Sequence, residues 1–244
     1  GLLIHKATHH FDQLNWWLGA DPESVHAYGA LCFYGPTREA HSERCLTCPY
    51  ATRCEFYLDL RANKSLKALY LDAEQHDGYF RDRCVFDPEI NIEDTMAVTI
   101  RYGNGILVNY ALNAFAPYEG QRIGFNGTKG RLELDLVSDY HRPNELGILE
   151  VLPIESPLAI RVSPLFGQPY SVPVAWAEGG HGGADAAIRQ HLFRPETPDP
   201  LSQRAGSRAG AMSALIGVAA NESIATGRVV SISELLPPEH WPIA

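Results

Sequence analysis

The stretch from residue 94 to residue 136 constrains the fold most, because its period admits strands and little else. Met96, Val98 and Ile100 alternate with Thr95, Thr99 and Arg101, the period-two pattern of a strand with one buried face. Residues 106–113 follow, and the intervening Gly103-Asn104-Gly105 tolerates the positive φ of a tight turn, so the pair predicts a hairpin. Residues 121–126 and 131–136, parted by Gly127-Thr128-Lys129-Gly130, predict a second strand–turn–strand unit. Residues 23–31, 148–152 and 228–232 are further strand candidates, and Cys32, at the end of the first, reads as a buried apolar residue. Residues 202–226 are rich in Ala and Ser and carry Met212, Leu215, Ile216 and Ala219 at helical spacing, which predicts a packed helix stopped by Gly227. The expected class is α+β, an open and largely antiparallel sheet with helices on one face.

Composition narrows the function. With 45% hydrophobic and 20% charged residues among 244, the chain has the makings of a globular core, and no Pro/Gly/Ser-rich linker divides it, so residues 1–244 read as one domain. Subtracting 29 acidic from 20 basic residues leaves a net charge of −9, which disfavours a nucleic-acid partner. No apolar run reaches the roughly 18 residues of a membrane span, so no membrane partner is expected.

Chemistry concentrates near the start. His5, His9, Asp12 and Trp16 fall at i, i+4, i+7 and i+11 of a helix and share one face, with Phe11, Leu14 and Leu18 forming an adjoining apolar stripe. Three histidines (His5, His9, His10), Lys6 and Asp12 in so short a segment point to a site rather than to packing. A second polar cluster, His181 and Asp185, flanks Gly182 and Gly183 at the entrance of another helix, where free backbone amides can meet an oxyanion or hydroxyl. Asp185 could equally be a first-turn helix acid and His181 a loop residue. A further reading makes His5 and His9 two ligands of a metal completed by His181 or Asp185, and the protein a metal-dependent lyase or hydrolase.

The cysteines form a separate pattern. Cys45, Cys48 and Cys54 lie within ten residues and Cys84 follows, supplying the four thiolates of a structural tetrahedral zinc site or an iron–sulfur cluster. Arg44, Arg53, Arg81 and Arg83 would help keep those thiolates deprotonated. Zinc is preferred because nothing else implies electron transfer; reduced cysteines, or two disulfides in an exported enzyme, are the alternatives.

The string His5-Lys6-Ala7-Thr8-His9-His10-Phe11-Asp12 resembles the Asp-x-x-x-His-x-x-Asp helix that opens the second domain of the Gfo/Idh/MocA oxidoreductases, relatives of glucose-fructose oxidoreductase and inositol dehydrogenase. Residues 126–133 (Asn-Gly-Thr-Lys-Gly-Arg-Leu-Glu) and 219–230 are similar to that family's sheet turn and final helix. The resemblance implies that this chain is the C-terminal substrate-binding and oligomerisation domain of a two-domain enzyme whose N-terminal Rossmann half, which binds NAD or NADP, lies outside it. In keeping with that, no Gly-x-Gly-x-x-Gly follows a strand, and the glycines at 179–183 lack that spacing. His9 matches the family's acid/base histidine, and imidazole titrates where a carbinol proton must be taken up near neutral pH. His5 stands where the family has Asp, and Lys6 adds a cation beside it, a pair that favours an anionic or keto-bearing substrate.

The function expected is therefore hydride transfer to or from a sugar, cyclitol or related polyol derivative. His9 and Lys6 would be catalytic, and His5, His10, Asp12, His181 and Asp185 would contact substrate. A noncatalytic carbohydrate-binding scaffold is the alternative from another class. Residues 106–113 put Ile106, Val108, Tyr110 and Leu112 on one face and Leu107 and Ala111 on the other, so a homodimer or homotetramer through the sheet face is expected, in the cytoplasm.

Overall fold

The computed structural model describes residues 1–139, 152–153, 158–175 and 180–240. In chain order the strands are β1 (Pro22–Ala30), β2 (Thr95–Tyr102), β3 (Leu107–Asn113), β4 (Glu119–Gly127), β5 (Gly130–Asp139), β6 (Leu152–Pro153), β7 (Ala159–Pro164), β8 (Tyr170–Pro173) and β9 (Val230–Ser231). The main helices are α1 (Leu2–His5), α2 (Ala7–Leu18), α3 (Ala184–Phe193) and α4 (Ser207–Thr226). The chain packs as two compact units, Gly1–Phe115 with Leu201–Ala244, and Ala116–Pro200. The α+β class holds, with the strands parted into two antiparallel sheets rather than gathered in one.

In the first unit the sheet order is β3-β2-β1-β9. The alternation read from the sequence sets the register: Met96, Val98 and Ile100 are buried, and Ile100 pairs with Val108 and Val98 with Tyr110 across the expected hairpin. Leu3, Ala7 and Phe11 from α1 and α2, and Met212, Ile216, Ala219 and Ala220 from α4, fill the same core. Small residues let the layers approach closely. At Gly217 an added Cβ would lie 2.5 Å from the Leu3 carbonyl oxygen, so only glycine fits where α4 meets α1. Ser223 stitches α4 to β1, accepting from the Ala27 amide at 2.9 Å and donating to the Arg228 carbonyl at 2.6 Å.

Several boundaries differ from those expected, each for a local reason. The C-terminal helix starts at Ser207 rather than at 202, because Gly206 is extended and Ser202 is left-handed at φ 52°. It ends as expected at a left-handed Gly227. Cys32 is exposed, not buried. The chain leaves β1 at Ala30, and the amides of Cys32, Phe33 and Tyr34 turn to the Asp94 carboxylate at 2.9, 2.7 and 2.9 Å. That buried carboxylate closes the neck of the excursion between β1 and β2, where the Asp94 amide also donates to the Ala30 carbonyl. Of the strand candidate at 148–152, residues 148–151 lie outside the described residues, while Leu152 joins β6 and pairs with β5.

In the second unit the sheet order is β4-β5-β7-β8, with β6 beside β5. Its register aligns Phe125, Leu132, Val162 and Tyr170 in one cross-strand row, with Ile160 opposite Val172 two residues on. Arg122 faces Asp135, and Glu133 faces Arg161, on the other side of the pleat.

Candidate functional site

The helix expected to run unbroken past His5 is interrupted. Lys6 (φ −108°, ψ −45°) ends α1 and begins α2, its amide donating to the Leu2 carbonyl while its carbonyl accepts from the His9 amide. Leu3, Ala7 and Phe11 point into the core, which turns His5, Lys6 and His9 outward. All three are exposed, and none makes a side-chain hydrogen bond or ion pair among the described residues. An imidazole and an ammonium at one helix junction, both open to solvent, can take a proton and attract an anionic or electron-rich oxygen.

His10 does not join them. Its Nδ1 meets the Tyr110 hydroxyl at 2.9 Å, so a residue expected to face substrate instead turns to the sheet. Phe11, fully buried, packs edge-on against the same tyrosine ring at 5.0 Å. Farther along α2, the buried Tyr102 hydroxyl donates to Asn15 Oδ1 at 2.8 Å, and the Trp16 indole N–H donates to the Leu201 carbonyl at 2.8 Å. Burial pushes the phenol pKa of both Tyr102 and Tyr110 far above the ordinary value, so both hydroxyls stay protonated. Asp12 is half-buried on this helix. Sequence reasoning missed both tyrosines as site-supporting residues; their one signal was a place in the inward row of each strand.

His181 and Asp185 belong to the second unit and are brought together. Nδ1 and Oδ1 stand 2.8 Å apart, and because a carboxylate only accepts, Nδ1 donates. His181 has φ 51°, a left-handed backbone that a residue with a side chain seldom adopts, and Gly182 and Gly183 continue it at φ 63° and 85° into α3.

The zinc expected at Cys45, Cys48, Cys54 and Cys84, and the metal expected at His5 and His9, find no support: among the described residues no group of three or more His, Cys, Asp or Glu side chains is placed to hold a metal. All five cysteines are free thiols. The arginines have other partners. Arg44 grips Glu74 and the buried Asp82, each at 2.6 Å, Arg53 and Arg81 lie over the rings of Tyr50 and Tyr70, and Arg83 reaches Glu89 at 3.8 Å. Burial pushes the Cys45 thiol pKa up.

Residues 1–232 match the sequence pattern of the oxidoreductase family's C-terminal alpha/beta domain. The chain belongs to the Gfo/Idh/MocA oxidoreductase family. It is 38% identical over 252 residues to YteT of Bacillus subtilis (strain 168), itself provisionally named an oxidoreductase, covering 96% of this chain and 56% of that one. Its fold is similar to the aldose-aldose oxidoreductase of Caulobacter crescentus, complexed with glycerol (TM-score 0.52, 15% identity, 95% of this chain and 47% of that one). It is also similar to an oxidoreductase of Agrobacterium radiobacter in complex with NAD+, L-tartaric acid and magnesium (TM-score 0.50, 16% identity, 95% and 49%). The family chain thus spans about half the length of the relatives it matches. Among its described residues no helix is long and apolar enough to cross a membrane.

Proposed function

We propose that this chain is the substrate-facing and assembly-forming half of a nicotinamide-dependent oxidoreductase acting on a sugar, cyclitol or related polyol derivative. The observation that carries the reading is His9, an exposed imidazole at the family's acid/base position on a helix whose other face is locked into the core. Oxidising a carbinol removes a hydride from carbon and a proton from oxygen. NAD or NADP supplies the hydride exchange; this sequence has no Gly-x-Gly-x-x-Gly after a strand to cradle a dinucleotide, so none of its residues is assigned to hold one. The proton is this chain's part: His9 takes it as the carbonyl forms and returns it in the reverse direction.

Lys6, next to His5, supplies positive charge toward the reacting oxygen, and the replacement of a carboxylate by His5 favours an anionic or keto-bearing substrate. Asp12 lies on the same helix, and in the second unit His181, its Nδ1 held by Asp185, is a separate candidate for hydroxyl recognition. Assembly is read as a homodimer or dimer of dimers through outward apolar sheet residues such as Leu107, which is 67% exposed. Five reduced thiols suit the cytoplasm.

The test is His9→Asn in the full-length enzyme. Turnover is expected to fall by roughly 100-fold or more while cofactor affinity stays the same. An unchanged kcat refutes the acid/base assignment, whereas a parent enzyme without turnover favours the scaffold.

A further inference from the structure

We propose that Tyr110 and His10 are a positioning pair that fixes the rotation of α2 about its axis and so sets where the His9 imidazole stands. The inference rests on the reading of His9 as the acid/base. Ala7 and Phe11 hold α2 to the core by apolar contact, which is non-directional and tolerates a roll of the helix. Direction comes from hydrogen bonds, and the bond nearest His9 is the 2.9 Å contact between His10 Nδ1 and the Tyr110 hydroxyl. Phe11, packed edge-on at 5.0 Å, holds the Tyr110 ring upright beneath it. The Tyr102–Asn15 bond and the Trp16–Leu201 bond pin the far end of the same helix.

Consecutive residues sit about 100° apart on a helix, so His10 can face the sheet only while His9 faces out. A group about 6 Å from the axis moves about 2 Å when the helix rolls by about 20°, and a misplacement of about 1 Å can cost a catalytic group roughly 100-fold. Because burial keeps the Tyr110 phenol protonated, the anchor does not lapse at neutral or mildly alkaline pH. Tyr110 acts through His10 and is not itself a catalytic residue.

The experiment uses the full-length enzyme with D-glucose, myo-inositol, D-glucuronate and a keto-inositol as probes, with NAD+ or NADP+ for the alcohols and the reduced cofactor for the ketone. Tyr110→Phe is expected to keep the ring packing and lower kcat about 10-fold, with KM changed less than about 2-fold. His10→Gln, whose amide can still reach the phenol, should recover most of the turnover that His10→Ala loses. An unchanged kcat in Tyr110→Phe overturns the proposal, as does equal loss in the two His10 variants. His9→Asn, run in parallel, tests the underlying reading separately: if it retains full turnover, His9 is not the base. The positioning is then decided by diethyl pyrocarbonate modification followed site by site. The rate at His9 should differ between the parent protein and Tyr110→Phe, and identical His9 rates in both proteins would overturn the proposal.

Discussion

Asp94→Asn removes one negative charge and almost no volume, so its cost can be worked from the bonds at the neck of the excursion. One carboxylate oxygen accepts from the Cys32 amide at 2.9 Å and the Thr95 hydroxyl at 3.2 Å, the other from the Phe33 and Tyr34 amides at 2.7 and 2.9 Å. The best-placed asparagine keeps its oxygen on Phe33 and Tyr34 and presents its NH2 to the Cys32 N–H, which is left without an acceptor. Losing that charge-assisted bond and orphaning the donor costs about 2 kcal/mol. For a chain of this length that is a fall in Tm of about 4–8 °C. The pH dependence has a definite sign. Burial raises the Asp94 carboxyl pKa, but the amides of Cys32, Tyr34 and Phe33 and the Thr95 hydroxyl outweigh it, and the net pKa lies below the ordinary value. A depressed carboxyl stabilises the fold above its unfolded pKa of about 3.9 and loses that contribution as pH falls through the folded value. Calorimetric melts should therefore show the full gap at neutral pH and a narrowing one below pH of about 4, where the parent's own carboxyl is protonated. Hydrogen exchange of the amides at 32–34 should quicken in the variant. A gap that stays constant across the acid range, or no gap at neutral pH, would refute the bond accounting.

Gly217→Ala places a Cβ 2.5 Å from the Leu3 carbonyl oxygen and must push α1 off α4, so it should cost about 1–3 kcal/mol by chemical denaturation and lower turnover through the displaced helix junction. Leu107→Lys alters a side chain already 67% exposed, so it should leave the melting temperature of the chain nearly unchanged while shifting the mass seen by light scattering toward monomer. A monomeric parent protein at micromolar concentration would refute the sheet-face assembly.

The hairpin of β2 and β3 was legible because a period of two, once the turn is placed, leaves no choice of face: Met96, Val98 and Ile100 are buried, and Leu107 is exposed. The β4–β5 turn was legible for a related reason. Gly130 sits at φ 149°, and an added Cβ there would lie 2.3 Å from the Ser163 carbonyl, so its glycine marks a position where no other residue fits. The break at Lys6 was not legible, since every residue around it is an acceptable helix former. The ties of the cysteine-bearing segment were not legible from the spacing of its thiols: Arg44 spends its donors on Glu74 and Asp82, which join residues 44, 74 and 82. The Tyr110 partnership joins residues 100 apart in sequence, a pairing that no local pattern encodes.

The two histidines proposed for chemistry, one in each compact unit, are supported in opposite ways, and the difference bears on the roles proposed for them. His9 rides on a helix whose inner face includes the fully buried Ala7 and Phe11 and whose turn is set by bonds to Tyr110, Tyr102 and Leu201. Proton transfer needs that support, because the accepting nitrogen must stand within hydrogen-bond reach of the hydroxyl when the carbon–hydrogen bond breaks. His181 stands on a left-handed turn with two glycines after it, its side chain 84% exposed and tied only to Asp185 among the described residues. A strained, glycine-flanked turn can change its backbone at small cost once a ligand offers a better arrangement, whereas the Asp185 bond holds the ring itself. Fixed geometry at His9 suits the proposed proton transfer, and an anchored ring on an adaptable backbone at His181 suits the proposed hydroxyl recognition.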